Sequence, residues 1–124
     1  MMRGATRLRV VGCAALALVG LVAGCQSPWV ECTIVNRETT PVSLVEVNYP
    51  GGSFGVQTIA AGAVYHYRFH ALSTDTLSMD FVDGARQSHT ATGPELQQGA
   101  AGTLQIEIEP GNQVRWTPAV TVKK

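Results

Sequence analysis

Three kinds of side chain in this 124-residue sequence could do chemistry: three cysteines, three histidines and nine scattered carboxylates. A reactive thiol needs a neighbouring cation to lower its pKa, and no His or Lys lies near Cys32 in the chain. Cys32 alternates with Val30 and Ile34, the pattern of a small core residue. His66 and His70 share a strand face in "VYHYRFH", yet four residues at ~3.3 Å each hold them about 13 Å apart, too far for one ion. His89 could approach one of them from another strand, but a third ligand would still be missing, so no metal site is assigned. The histidines read first as solvated surface residues; the alternative is that the stripe of His66, Arg68 and His70 binds an acidic partner, gaining positive charge as the pH falls toward 6. Acyl transfer would need a nucleophile, a base and an orienting acid, and no G-x-S-x-G or triad is recognisable. Glu46, Asp80 and Glu107 show no pattern that marks them as a glycosidase pair. No catalytic residue and no cofactor is expected.

Cys25 stands apart because of what precedes it. Arg3, Arg7 and Arg9 form a basic head with no acid before Glu31, and Val10 to Ala23 supplies fourteen apolar or small residues. That run is shorter than the roughly 20 residues of a membrane-spanning helix and suits a secretory signal core. The segment ends in "LVAGC", which resembles the lipobox of bacterial lipoproteins: Val22, then the small Ala23 and Gly24, then Cys25. The resemblance implies a diacylglyceryl thioether on Cys25 and cleavage after Gly24, with residues 1–24 removed as a signal peptide. Two or more acyl chains anchor a protein stably, whereas one holds it only reversibly. Gln26 follows the cysteine where an Asp would resemble an inner-membrane retention signal, so the outer membrane, facing the periplasm, is the expected location. Without lipidation, Cys25 and Cys32 could pair as a disulfide.

Only Gln26, Ser27 and Pro28 separate Cys25 from Trp29, so this tether (residues 25–28) reaches at most ~14 Å. The domain must lie close to its bilayer. Trp29 is then placed either at headgroup level, as indole rings tend to be, or over the end of the domain core.

"YPGGSFGVQ", residues 49 to 57, resembles the glycine-rich loop with which protein kinases cover ATP phosphates. The supporting parts are missing. Pro50 takes the first glycine's place and offers no N–H, no lysine lies in the following strand, and neither a catalytic-loop Asp nor a D-F-G is present. A turn accounts for the residues: Pro50 presets φ, the glycines permit positive φ, and Phe54 re-enters the core.

The elements that must position these groups have period two. Strands are expected from Val30 to about Asn36 and over residues 42–49, 53–59 and 64–70. Others are expected near 77–82 and 86–92, with the last two around Leu104–Glu109 and Val114–Trp116. Tyr65, Tyr67 and Phe69 alternate with His66, Arg68 and His70, as in a half-buried antiparallel strand. Asp83-Gly84 favours the left-handed backbone of a tight hairpin turn. "RQSHTAT" is polar enough for an edge strand. Residues 93–102 read as a loop with at most one helical turn. Eight short strands with Gly/Pro punctuation indicate an all-β, antiparallel β-sandwich over residues 29–118, with 119–124 as a tail.

Removing residues 1–24 leaves six basic residues against nine acidic ones. No basic patch remains to draw phosphate, so nucleic acid is not an expected partner. The pieces "VEVNYPGGSFG", "YHYRF", "TGPEL" and "RWTP" are similar to a family of small uncharacterised bacterial lipoproteins, which implies a fold and an envelope location but no activity. The expectation is a non-catalytic envelope lipoprotein acting as an interaction or structural module. Its partners would be the membrane, through the lipid, and an envelope protein. The alternative is a module that binds a small ligand or glycan.

Overall fold

The computed structural model describes residues 28–122; Cys25 and the rest of the lipobox, Gln26, Ser27, Lys123 and Lys124 lie outside the described residues. The described chain is all β, with β1 (Val30–Asn36), β2 (Val42–Tyr49), β3 (Gly52–Ile59), β4 (Val64–Phe69), β5 (Asp75–Val82), β6 (Ser88–Leu96), β7 (Ala100–Glu109) and β8 (Gln113–Val122). Two four-stranded sheets, ordered β4-β1-β7-β8 and β3-β2-β5-β6, form a sandwich-like arrangement. Side chains alternate across each strand, so one face of each sheet can bury its apolar set while the other stays polar. Val30, Cys32 and Ile34 of β1 thus meet Val45 and Val47 of β2, Leu77, Met79 and Phe81 of β5, and Leu104, Ile106 and Ile108 of β7 in one core.

The expected purely antiparallel sandwich needs correction at one pairing. β1 and β7 run parallel, from Val30 opposite Gly102 to Asn36 opposite Ile108. Alternation within a strand reveals its buried face but not its neighbour, and a long connection lets two strands pair in either direction.

Both open edges between the layers are closed by aromatic rings. At the β3/β4 edge the Phe54 and Tyr67 rings stack with centroids 4.0 Å apart, and Tyr49 stacks on Phe69 at 4.1 Å. Burial, and then the neighbouring Tyr67, push the Tyr49 hydroxyl pKa up. At the β6/β8 edge Trp116 lies over Gly93, where an added methyl would come within 2.7 Å of the indole. Gly93 is there for space.

The turns are only partly as expected. In Pro50-Gly51 the second residue has φ 93°, the left-handed value that glycine tolerates. The β5–β6 hairpin differs: Gly84 is not the left-handed residue, Arg86 is, with φ 65°. Asp83 explains the change, because its Oδ1 accepts from the N–H groups of Ala85 and Gln87, both at 2.9 Å, and draws the chain into a wider loop. Gly84 is needed for close approach, since a methyl there would stand 2.5 Å from Thr40 Oγ1.

Residues 93–102 are not a loop. β6 runs on to Leu96, and the connection to β7 closes through Ala100 N–H donating to Gln97 O at 3.1 Å. Gly93 and Pro94 fit inside β6 because it is an edge strand with a register shift opposite Thr76 to Ser78, where a missing N–H breaks no ladder. β8 likewise continues past the expected boundary at 118, pairing Val122 with Ala100.

Candidate functional site

Trp29, Arg68 and His70, three of the residues singled out in the sequence, gather at the rim where the described chain begins. β1 starts at Val30 beside Phe69, the last residue of β4, so Trp29 and His70 are brought side by side as the two strands end. Their rings stack with centroids 3.6 Å apart. The Arg68 guanidinium lies over the indole, Cζ 4.2 Å from the ring centre, a cation–π contact. His70 Nδ1 bonds the carbonyl of Pro28. A carbonyl can only accept, so His70 donates from Nδ1 and leaves Nε2 facing outward. Glu31 approaches Arg68 at 3.8 Å, a loose surface pair worth little by itself.

His66 does not join this group. It stays on the outer face of the same sheet, level with Thr33, whose Oγ1 is 3.2 Å from its Nδ1. The expected stripe therefore divides by partner: Arg68 and His70 converge on Trp29, while His66, further along the same face, meets Thr33. Trp29 is 37% exposed, so it is neither a core cap nor a free surface residue.

A second polar constellation at the opposite rim was not visible in the sequence. His89 Nε2 is 2.7 Å from Asp83 Oδ2, which also accepts from Asn112 Nδ2 at 3.2 Å. Glu38 Oε2 accepts from the Asn112 N–H at 2.9 Å. The His89 hydrogen bond first, and then the Gln87 and Ala85 N–H groups, hold Asp83 below the usual carboxylate range, against an opposing effect of burial. Asp83 is thus fully engaged in shaping its loop. Asn112 Oδ1 is buried without a hydrogen-bond partner. Only the shared hairpin could have hinted at the pair, since His89 stands opposite Phe81, two residues before Asp83.

The buried thiol is inert by geometry. Burial pushes Cys32 up to about 12, so almost none of it is thiolate near neutral pH. Among the described residues no three His, Cys, Asp or Glu side chains are grouped to hold a metal ion, and no helix is long and apolar enough to cross a membrane.

The flat outer faces are polar. Glu46, Asn48, Ser78, Asp80 and Thr90 share one of them, tied by hydrogen bonds from Asn48 to Ser78 at 3.2 Å and from Thr90 to Asp80 at 2.7 Å. In the β4-β1-β7-β8 sheet the nearly buried Glu107 of β7 is held by Arg37, which follows β1.

No protein-family model matches the chain. No curated protein matches it either. Among solved structures it is similar to "NMR structure of the protein from Eubacterium rectale", with a TM-score of 0.53 and 13% identity over 77% of this chain and 91% of that one. At that identity the likeness shows the fold alone.

Proposed function

We propose that this protein is a bacterial envelope lipoprotein whose β-sandwich serves as a non-catalytic interaction or structural module, anchored through Cys25 and facing the periplasm from the outer membrane. The observation that carries this reading is how the chain enters the domain. Pro28 is bonded by His70, and Trp29 is stacked between His70 and Arg68, three and four residues after the lipobox cysteine. Such an entry sets the domain firmly beside the attachment point rather than at the end of a loose leash. The engaged state of the ionisable groups fits a module without reaction chemistry. Asp83 has four donors, Glu107 has Arg37, and Glu109 pairs with Arg115 at 3.0 Å. Flat polar sheet faces also count against a glycan platform, which needs coplanar exposed aromatics.

Labelling cells with radioactive palmitate tests the anchor. The natural chain takes up label and fractionates with the outer membrane, and the Cys25→Ala chain takes up none. Equal labelling of the two would remove the basis of the proposal.

A further inference from the structure

We propose that the entry rim of the sandwich is a lipid-headgroup docking face, with Trp29 and Leu72 seated in the headgroup layer and Arg68 directed at lipid phosphate. The inference rests on the lipoprotein reading and deepens it: the domain would touch the bilayer with its own side chains as well as through its lipid.

The first argument is the placement of exposed apolar groups. Among the described residues the large exposed hydrophobics are Trp29, Leu44, Val64, Leu72 and Val122. Three of them share the entry rim. Gly102 N–H bonds Trp29 O, Gly99 N–H bonds Ala71 O beside Leu72, and Val122 lies opposite Ala100 at the start of β7. A shallow concavity lined by Pro28, His70, Ala71, Leu72, Gln98 and Gly99 sets Leu72 near His70, on which Trp29 is stacked. Leu72 is 63% exposed although its backbone is fixed by a 3.0 Å hydrogen bond to Pro50 O, so its exposure is imposed by the fold.

The second argument is length. From Cys25 to Trp29 the chain spans at most ~14 Å. The opposite rim, at Asn36, is seven strand residues away, roughly 20 Å further at ~3.3 Å each. The entry rim is the part of the domain that the tether holds nearest a bilayer carrying Cys25. The same limit favours lipid over a protein occupant, because a single further layer, about 10 Å thick, would take up most of the ~14 Å gap.

The third argument is chemical. Tryptophan favours the membrane–water interface, where its apolar ring and N–H find different surroundings. Here the ring is held in one orientation by His70 and Arg68, so it loses little freedom on docking. Arg68 keeps donors free, since Glu31 is 3.8 Å away, and a guanidinium suits phosphate oxygens. The opposite rim carries Glu38 and Asp83 together with Arg37 and Arg86, so it is the length of the tether and not charge that chooses between the rims. Asp75 and Glu95 lie on the β5 and β6 side of the entry rim, whereas the acid of the other side, Glu31, faces Arg68, so the domain should lean onto the β4-β1-β7-β8 sheet.

The test uses the full chain purified from bacterial membranes and reconstituted in vesicles of phosphatidylethanolamine and phosphatidylglycerol, with and without lipids brominated near the headgroup. Tryptophan emission is read for the natural chain, for Trp29→Phe and for Leu72→Asn. The expected result is a blue shift on reconstitution and quenching by brominated lipid, lost in Trp29→Phe and weakened in Leu72→Asn. Folding of each variant is checked by circular dichroism. Intact mass reports separately whether Cys25 carries lipid. A chain whose Trp29 emission ignores brominated lipid overturns the docking face, whatever its mass; an unmodified Cys25 overturns the anchor, whatever the quenching.

Discussion

Asn36 offers the most direct check on how the far end of the sandwich is held. It is wholly buried at the end of β1, and its side chain works as a four-way tie. Nδ2 donates to the carbonyls of Thr40 and Ile59 at 3.0 Å and of Ala60 at 3.2 Å, and Oδ1 accepts from the Glu38 N–H at 3.0 Å. Asn36→Ala removes two N–H groups and one acceptor, about three hydrogen bonds at ~1 kcal/mol each. The Ile59 carbonyl, the most buried of the three, is left without this donor and adds up to ~1 kcal/mol, the lower end of its ~1–3 kcal/mol penalty. A total of about 3–4 kcal/mol follows, or a fall in Tm on the order of 12–30 °C for a domain of this size. Asn36→Asp separates hydrogen bonding from packing, because its shape is nearly the same. A carboxylate facing carbonyl oxygens without solvent is disfavoured, so its folded pKa is raised above the unfolded ~3.9. A raised folded pKa means stability is greatest below the unfolded value and is lost as the pH climbs through the folded one. Relative to the natural chain, Asn36→Asp should therefore be less destabilised at pH 4.5 than at pH 7. Urea denaturation followed by tryptophan fluorescence at both pH values is the assay. A cost below ~1 kcal/mol for Asn36→Ala, or a pH-independent Asn36→Asp penalty, would refute the reasoning.

Two further outcomes are expected. With its pKa pushed up to about 12 by burial, Cys32 should resist a thiol reagent at pH 8 in the folded protein and react once urea unfolds it; fast labelling without denaturant would contradict the burial. Asp83, held below the usual carboxylate range by His89 and by backbone N–H groups, contributes stability that is present above its unfolded value and lost as the pH falls below about 4. Asp83→Asn should accordingly lower stability at pH 7 and flatten the acid end of a circular-dichroism titration, and an unchanged acid midpoint would show that the loop does not depend on this charge.

Much of the fold is legible because a strand writes its burial into consecutive residues. Val30, Cys32 and Ile34, or Leu77, Met79 and Phe81, alternate with polar neighbours, and each set is buried as that alternation requires. Edge character was legible as well in the polar run before Gly93, since an edge strand has no second neighbour to satisfy. The same run concealed the strand's length, because Gly93 and Pro94 look like a loop until the layer above is known. Asp83-Gly84 misled for a related reason: the carboxylate of Asp83 reorganised the turn, and Gly84 answers to Thr40 from another part of the chain.

The sequence by itself determined the class of the domain and its buried faces, for these depend on patterns a few residues long. Tertiary structure alone decided that β1 and β7 run parallel, that Trp29 meets Arg68 and His70 while His66 stays apart, and that His89 finds Asp83. Those outcomes depend on which strands lie side by side, and that choice is made by packing two sheets face to face over many residues, where no local pattern carries the information.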